Sequence, residues 1–273
     1  MNRGVIYYNN GTCCTVRLLV SLFSLREHYD GPVTVLSHGT KSHPICAKIC
    51  AALGAEYRPW DPEIPAGAHT INLAKPLYHT ASRYDCTVCL DSDSLVIAPI
   101  DELFTMAREY EFVVANFAGW RSSTTVIADR IQGWRQYLPD FIEEALRFGP
   151  AINCGVIAFQ KDAALLRDWY SFALRGRDTF IPDEVSCQIM LHRYPHLIAD
   201  RAWNRSCRYD DPYKKGTRIV HYHGRRHCRP GLPFGAELWL EKMDQLLELN
   251  CAGIQEWMPA GDPVLKDFMK TRA

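Results

Sequence analysis

The first ninety residues alternate short apolar segments with segments of helical spacing, and this alternation restricts the fold more than any other feature of the sequence. Gly4–Tyr8 is apolar and aromatic, as a buried strand requires. Asn9-Asn10-Gly11 is a turn signal, Thr12 a candidate helix N-cap, and Val16, Leu19, Leu22 and Phe23 follow at helical spacing. The same reading gives a strand at Pro32–Leu36, a helix at Ile45–Leu53 and a strand at Ala55–Trp60 with a proline-containing loop through Ala68. A helix over Ile71–Tyr84 and a strand at Cys86–Leu90 complete the pattern. Such alternation predicts an α/β fold, a Rossmann-like, mostly parallel sheet with helices on both faces. Right-handed crossovers then gather the C-terminal ends of the strands on one edge, where such sheets bind ligands.

Beyond Asp93 the pattern loosens. Ile100–Phe104 begins a short helix, Glu111–Ala115 reads as a strand and Asn116–Thr125 as a loop. Gln132–Phe148 is rich in helix signals, Ala151–Gln160 is a strong strand and Ala163–Leu174 a helix. Gly235–Leu249 is amphipathic, with Leu238, Leu240, Met243, Leu246 and Leu247 on its apolar side. Its polar side mixes Glu237, Glu241, Lys242 and Asp244, which suits packing on the domain better than anionic lipid. The 273 residues hold no repeat and no Gly/Ser linker, so a single domain is expected.

Composition removes several classes of function. Lys plus Arg and Asp plus Glu are 31 each, which argues against a general nucleic-acid binder. No apolar run approaches the ~20 residues of a membrane helix. Met1-Asn2-Arg3-Gly4 leads straight into the first strand without a signal-peptide pattern. The 11 cysteines, an odd number, sit largely in apolar strand or helix patterns, as at Cys46, Cys50, Cys89 and Cys154, and read as small buried hydrophobes. Cys86-x-x-Cys89 has no second pair at zinc spacing. A reducing, cytoplasmic location is therefore expected. The oligomeric state is left open.

The segment Val88-Cys89-Leu90-Asp91-Ser92-Asp93 carries the most chemistry. An apolar strand runs directly into two carboxylates at i and i+2, which in extended chain point to the same side, at the ligand-binding edge. Two adjacent carboxylates repel unless a cation lies between them. Oxygen ligands suit a hard divalent ion, manganese or magnesium, and such an ion commonly also binds a diphosphate. A solvated turn is the competing reading. His221 follows another apolar strand, with His223 and His227 close by, and a neutral imidazole can complete a site begun by two carboxylates. Asn9, Asn10 and Thr12 follow the first strand, where a nucleotide's base and ribose would lie. Tyr8 there is either a stacking partner for a base or a buried strand tyrosine.

With Lys75 sixteen residues before Asp91, then Cys86–Val96 and Ile100–Phe104, the chain resembles glycosyltransferase family 8, the glycogenin-like proteins. Three later segments repeat the resemblance in order. Asn153-Cys154-Gly155-Val156 is similar to the family's Asn-x-Gly-Val strand, which lines the sugar pocket. Asp183-Glu184 is similar to its Asp-Gln pair beside the transferred sugar. Ile219–Gly224 is similar to its His-aromatic-x-Gly segment, whose first His is the third metal ligand.

The resemblance spans about residues 4 to 229. It implies a GT-A fold and retaining transfer of a hexose from a UDP-sugar, with manganese (or magnesium) held by Asp91, Asp93 and His221. It further implies Lys75 at the diphosphate and Asp183 and Glu184 at the anomeric centre. Nucleotide-sugar contacts would come from Tyr8, Asn9, Asn10, Thr12, Ser92, Asn153, Gly224, Arg226 and His227. Residues 1–94 form the nucleotide-binding half, 95–229 the sugar and acceptor half, and 230–273 a helical extension packed on the domain. Without the motif, Lys75 would read as an exposed helix lysine.

The chain departs from the family pattern in three places. The family's Lys three residues after the final Gly is His227, preceded by Arg225 and Arg226, whose guanidinium groups suit bidentate phosphate contact. The family's Gln is Glu184, which could stabilise an oxocarbenium-like transition state, act as nucleophile or be a structural variation. The acid before the Asn-x-Gly-Val strand is replaced by Gly149-Pro150-Ala151. The acceptor side is expected from residues 117–150 and 201–216, and the acceptor itself (glycan, lipid-linked or protein) is open. Two other functions compete. One is a non-catalytic nucleotide-sugar binder. The other is a nucleotidyltransferase, disfavoured by the single glycine in Asn9-Asn10-Gly11-Thr12. The neutral total also hides an asymmetry. Residues 201–229 hold nine basic and two acidic side chains, net +7, around the His221 motif, and read as a clamp over a diphosphate.

Overall fold

The computed structural model describes residues 2–10, 12–38, 44–65, 70–117, 124–147, 149–207, 214–223, 236–250 and 253–254. In chain order the elements are β1 (Arg3–Asn9), α1 (Thr12–Arg26), β2 (Val33–Ser37), α2 (Pro44–Ala52), β3 (Glu56–Pro59), α3 (Thr70–Ala74), α4 (Tyr78–Ala81), β4 (Cys86–Leu90), β5 (Ser94–Val96) and α5 (Asp101–Tyr110). Then follow β6 (Phe112–Asn116), α6 (Thr124–Gly133), α7 (Pro139–Ala145), β7 (Ile152–Gln160), α8 (Ala164–Arg175), α9 (Pro182–Met190), β8 (Leu197–Ala199), β9 (Arg205–Ser206), β10 (Ile219–His221) and α10 (Ala236–Glu248). Seven strands form one sheet in the order β3-β2-β1-β4-β7-β6-β8, and β5-β10-β9 form a second. In the first sheet β1–β2, β2–β3 and β6–β8 are parallel, while β6–β7 is antiparallel with a register shift between Val114 and Ala115. The expected α/β architecture with a mostly parallel sheet is thus present.

The chain divides into two compact units. One comprises Met1–Gly4, Pro62–Cys89 and Asp101–Asn204, the other Val5–Asp61, Leu90–Ile100 and Arg205–Ala273. In the second unit, β2 is buried along its whole length, Thr34 and Ser37 included. Val5, Ile6, Leu18, Leu22, Val35 and Ile49 are fully buried there. At about 25 cal/mol per Å² of apolar area, such side chains supply the main stabilisation of the unit. Helix α10 buries Trp239, Met243 and Leu246, packs on α1, and adds an ion pair from Lys242 to Glu27 at 2.8 Å. Trp239 meets Tyr222 edge to face, with centroids 5.1 Å apart.

In the first unit, Phe112, Phe159 and Trp169 are buried, and Phe112 meets Trp169 edge to face at 5.8 Å. A further apolar cluster joins α6, α7 and α9 through Ile131, Trp134, Leu138, Ile142, Val185 and Ile189.

The single helix expected over 71–84 is divided. α3 stops at Ala74, Lys75–Leu77 form a 3-10 turn, and α4 ends at Ala81. Pro76 is the cause, because it lacks the N–H that an α-helix would use and its ring crowds the preceding turn. The sequence also gave no sign of β8 or β9, which have three and two residues, too few to show a period.

Candidate functional site

Two groups of polar side chains stand out, one in each unit. In the second unit, Asp91 follows directly on Leu90, the last residue of β4, and β5 begins at Ser94. Residues 91–93 are not extended chain, as the sequence suggested. They form a tight turn in which the Ser94 N–H and Oγ both donate to the Asp91 carbonyl, at 3.1 and 2.7 Å. The turn, rather than strand alternation, brings the two acids together.

His221 reaches the turn through the small sheet. It pairs with Ser94 across the antiparallel β10–β5 ladder, and the Tyr222 N–H donates to the Asp93 carbonyl at 3.0 Å. Nε2 of His221 lies 3.2 Å from Asp93 Oδ1 and 3.8 Å from Asp91 Oδ2, and one donor atom from each residue falls within 4.8 Å of the others. Side-chain exposure falls from 30% at Asp91 to 13% at Asp93 and 4% at His221, so the site opens on the Asp91 side. Two carboxylate oxygens and one imidazole nitrogen at this spacing fit a divalent ion such as manganese or magnesium.

His223, the neighbouring candidate, stacks on the His221 ring at 3.9 Å and has φ of +52°. Cys207 donates its N–H to the His221 carbonyl at 3.1 Å. Burial pushes its thiol up to about 12, with the nearby Asp93 charge adding to the rise. Ser92 is half-buried within the acid turn.

At the end of β1, Asn9 is fully buried and donates Nδ2 to Thr15 Oγ1 at 3.2 Å and to Cys46 Sγ at 3.8 Å, fastening β1 to α1 and α2. Tyr8 is buried at the end of β1, with its ring edge to face with Trp60 at 5.6 Å. Asn10 is half-buried after β1, and α1 begins at Thr12, whose side chain lies outside the described residues. Gly224, Arg225, Arg226 and His227, with Gly11 of the first turn, also lie outside the described residues.

In the first unit, Asp183 and Glu184 occupy the first turn of α9, where the helix dipole favours negative charge. Lys75 is buried rather than exposed. Its Nζ donates to the Cys154 carbonyl at 2.9 Å and lies 3.9 Å from Asp183 Oδ2. The Asp183 carbonyl accepts from Trp169 Nε1 at 2.9 Å.

Glu184 is held by three donors. Arg130 Nη1 reaches Oε1 at 3.2 Å, while Asn153 Nδ2 and the Cys154 N–H reach Oε2 at 2.6 and 3.4 Å. Asn153 is held in turn, because its Oδ1 accepts from the Gly155 N–H at 2.9 Å and from Asn204 Nδ2 at 2.7 Å. Burial, then the nearby Cys187, Glu184 and Asp183, keep the Cys154 thiol well above its ordinary range. The structure therefore brings Lys75, Asn153, Asp183 and Glu184 into one cluster. Arg130 and Asn204 are members that sequence reading missed, since they lie 54 and 51 residues from their partners and no local pattern marks them.

No protein-family profile and no curated protein matches the sequence. Solved structures do share the fold. The galactosyltransferase LgtC, solved with donor and acceptor sugar analogues, matches with a TM-score of 0.64 at 14% identity, over 89% of this chain and 95% of that one. An LgtC variant with an active-site glutamine changed to glutamate matches with a TM-score of 0.62 at 14% identity, over 89% and 95%. Mouse xyloside xylosyltransferase 1 gives 0.57 at 13% identity, over 86% and 100%. GlyE of Streptococcus pneumoniae gives 0.58 at 15% identity over 92% of this chain, which spans 63% of that one. The chain has the GT-A fold that these glycosyltransferases share. No helix among the described residues is long and apolar enough to cross a membrane.

Proposed function

We propose that the chain is a metal-dependent, retaining glycosyltransferase that moves a hexose from a UDP-sugar to a hydroxyl acceptor in the cytoplasm. The observation that carries this reading is the convergence of Asp91, Asp93 and His221 after β4 of a GT-A fold. Manganese or magnesium held there would neutralise charge developing on the leaving diphosphate, the largest electrostatic demand of the reaction. Residues 1–94 serve as the nucleotide half, with Asn9, Asn10, Thr12 and Ser92 at the nucleoside side. Gly224, Arg226 and His227 extend the phosphate contacts. Residues 95–229 serve the sugar and acceptor, and 230–273 form a supporting extension.

Within the sugar cluster each residue has a separate task. Asn153 orients the Glu184 carboxylate. Lys75 fixes Asp183 through the close approach of its ammonium group, and so acts on the sugar through that carboxylate. Glu184 presents a fixed negative charge toward positive charge arising at the anomeric carbon. Both its oxygens already accept hydrogen bonds, which favours this role over that of nucleophile.

UDP release from a panel of UDP-sugars, measured with and without manganese, tests the proposal. Asp91→Ala should abolish the metal-dependent rate. Binding of UDP-sugars with no turnover would make the chain a non-catalytic nucleotide-sugar binder. Undiminished turnover in the variant would remove the metal assignment.

A further inference from the structure

Three large apolar side chains are exposed among the described residues: Tyr110, Leu249 and Phe180. The first two lie at the ends of α5 and α10. Phe180, at 73%, is the most exposed, and it stands four residues before Glu184. Its exposure is built into the backbone. Ile181 adopts φ of +45°, a region a β-branched residue rarely enters. Its own side chain packs against the apolar cluster of α6, α7 and α9, while Phe180 beside it is exposed. The ring is nevertheless held. The Arg130 guanidinium lies over it, 5.7 Å from the centroid, and the same guanidinium is ion-paired to Glu184 at 3.2 Å. Phe180, Arg130 and Glu184 thus form one connected row from open surface to the polar cluster.

We infer that Phe180 and Arg130 form a stacking subsite for a pyranose ring, so that the acceptor is a saccharide; this rests on the proposed transferase function. An aromatic face carries negative potential and attracts the weakly positive C–H face of a sugar. A guanidinium offers five N–H donors, of which the contact with Glu184 uses one, and the Arg130 side chain is 35% exposed. Donors at the edge of an aromatic platform suit ring hydroxyls. Residues 117–150 were expected to build the acceptor side, and Arg130 belongs to them. A lipid surface would call for an apolar patch of several hundred Å². Here a single exposed ring is followed by the half-buried Ile181 and the buried Pro182, and the exposed Arg177 and Asp178 lie just before it.

The test is saturation-transfer NMR on the full chain, with lactose, maltose and the methyl glycosides of galactose, mannose and N-acetylglucosamine as probes. At least one probe should show ring-proton transfer. Phe180→Ala should weaken its Kd by about tenfold, the size of a single strong aromatic contact. Phe180→Trp should retain binding. Because the ring is exposed, Phe180→Ala should keep its far-UV circular dichroism.

No saccharide signal, or equal Kd values for the unsubstituted protein and Phe180→Ala, overturns the inference. So does sedimentation with phosphatidylcholine vesicles that Phe180→Ala abolishes, which would assign the ring to a lipid surface. UDP release without any Phe180 effect on saccharide binding refutes the subsite and spares the transferase reading. Saccharide binding through Phe180 with no UDP release from any UDP-sugar refutes the transferase reading and spares the subsite.

Discussion

Replacing Glu184 by glutamine is the most informative perturbation of the sugar cluster, because the family resemblance places glutamine there and the structure argues against it. The carboxylate accepts on both sides, from Arg130 on Oε1 and from Asn153 and the Cys154 N–H on Oε2. An amide has one acceptor side and one donor side. Whichever way it turns, an NH2 group must face either the Arg130 guanidinium or Asn153 Nδ2. Asn153 cannot relieve this by rotating its own amide, since its Oδ1 is pinned by two donors, Gly155 N–H and Asn204 Nδ2. One charge-assisted bond is lost and one donor is left facing a donor, a cost of about 1–3 kcal/mol. For a chain of this size each kcal/mol moves Tm by about 2–4 °C, so Glu184→Gln should lower Tm by about 2–12 °C. Adding Asn153→Asp restores complementarity between the two side chains, because the new carboxylate accepts from the new amide, from Gly155 and from Asn204. Asn153→Asp alone sets two carboxylates together and destabilises. The double variant should therefore be more stable than either single variant, by scanning calorimetry or circular dichroism. A Glu184→Gln Tm within about 1 °C of the unsubstituted protein, or no rescue, would refute the argument.

Other outcomes follow from the packing. Trp169→Phe removes the donor to the Asp183 carbonyl and should cost about 1–3 kcal/mol in urea unfolding; an unchanged midpoint would show that this bond does not matter. Gly176→Ala would drive its Cβ into the Trp134 ring and should destabilise by about 1–3 kcal/mol, seen as a lower Tm. Burial pushes the Cys86 thiol from 9.0 up to about 11. Between those values the unfolded chain gives up the proton while the folded chain keeps it, so stability falls as pH rises, by up to about 1.4 kcal/mol per pH unit. Urea midpoints at about pH 8 and about pH 10.5 should fall less in Cys86→Ala; equal falls would contradict the assignment.

The strand-and-helix alternation was legible because the buried strands are short and predominantly apolar, as at Cys86–Leu90, where the expected and observed bounds coincide. The two acids were legible for the same reason, since they interrupt such a run at its end. What brings them together was not legible. It depends on a tight turn at 91–93 and on the three-residue strands β5 and β10, whose pairing joins residues more than a hundred positions apart. The burial of Lys75 was hidden because it depends on the turn at Pro76 and on a carbonyl 79 residues away. Arg130 and Asn204 have ordinary local sequences, and their roles arise only from tertiary contacts.

The central claim is that Asp91, Asp93 and His221 hold a divalent cation that engages a nucleoside diphosphate. Electron paramagnetic resonance of free manganese, titrated with the full chain in the presence of UDP, measures this directly. The account predicts uptake of one manganese per chain, strengthened by UDP and lost together in Asp91→Ala and His221→Ala variants that keep their circular dichroism. Equal uptake by these variants and by the unsubstituted protein would contradict it.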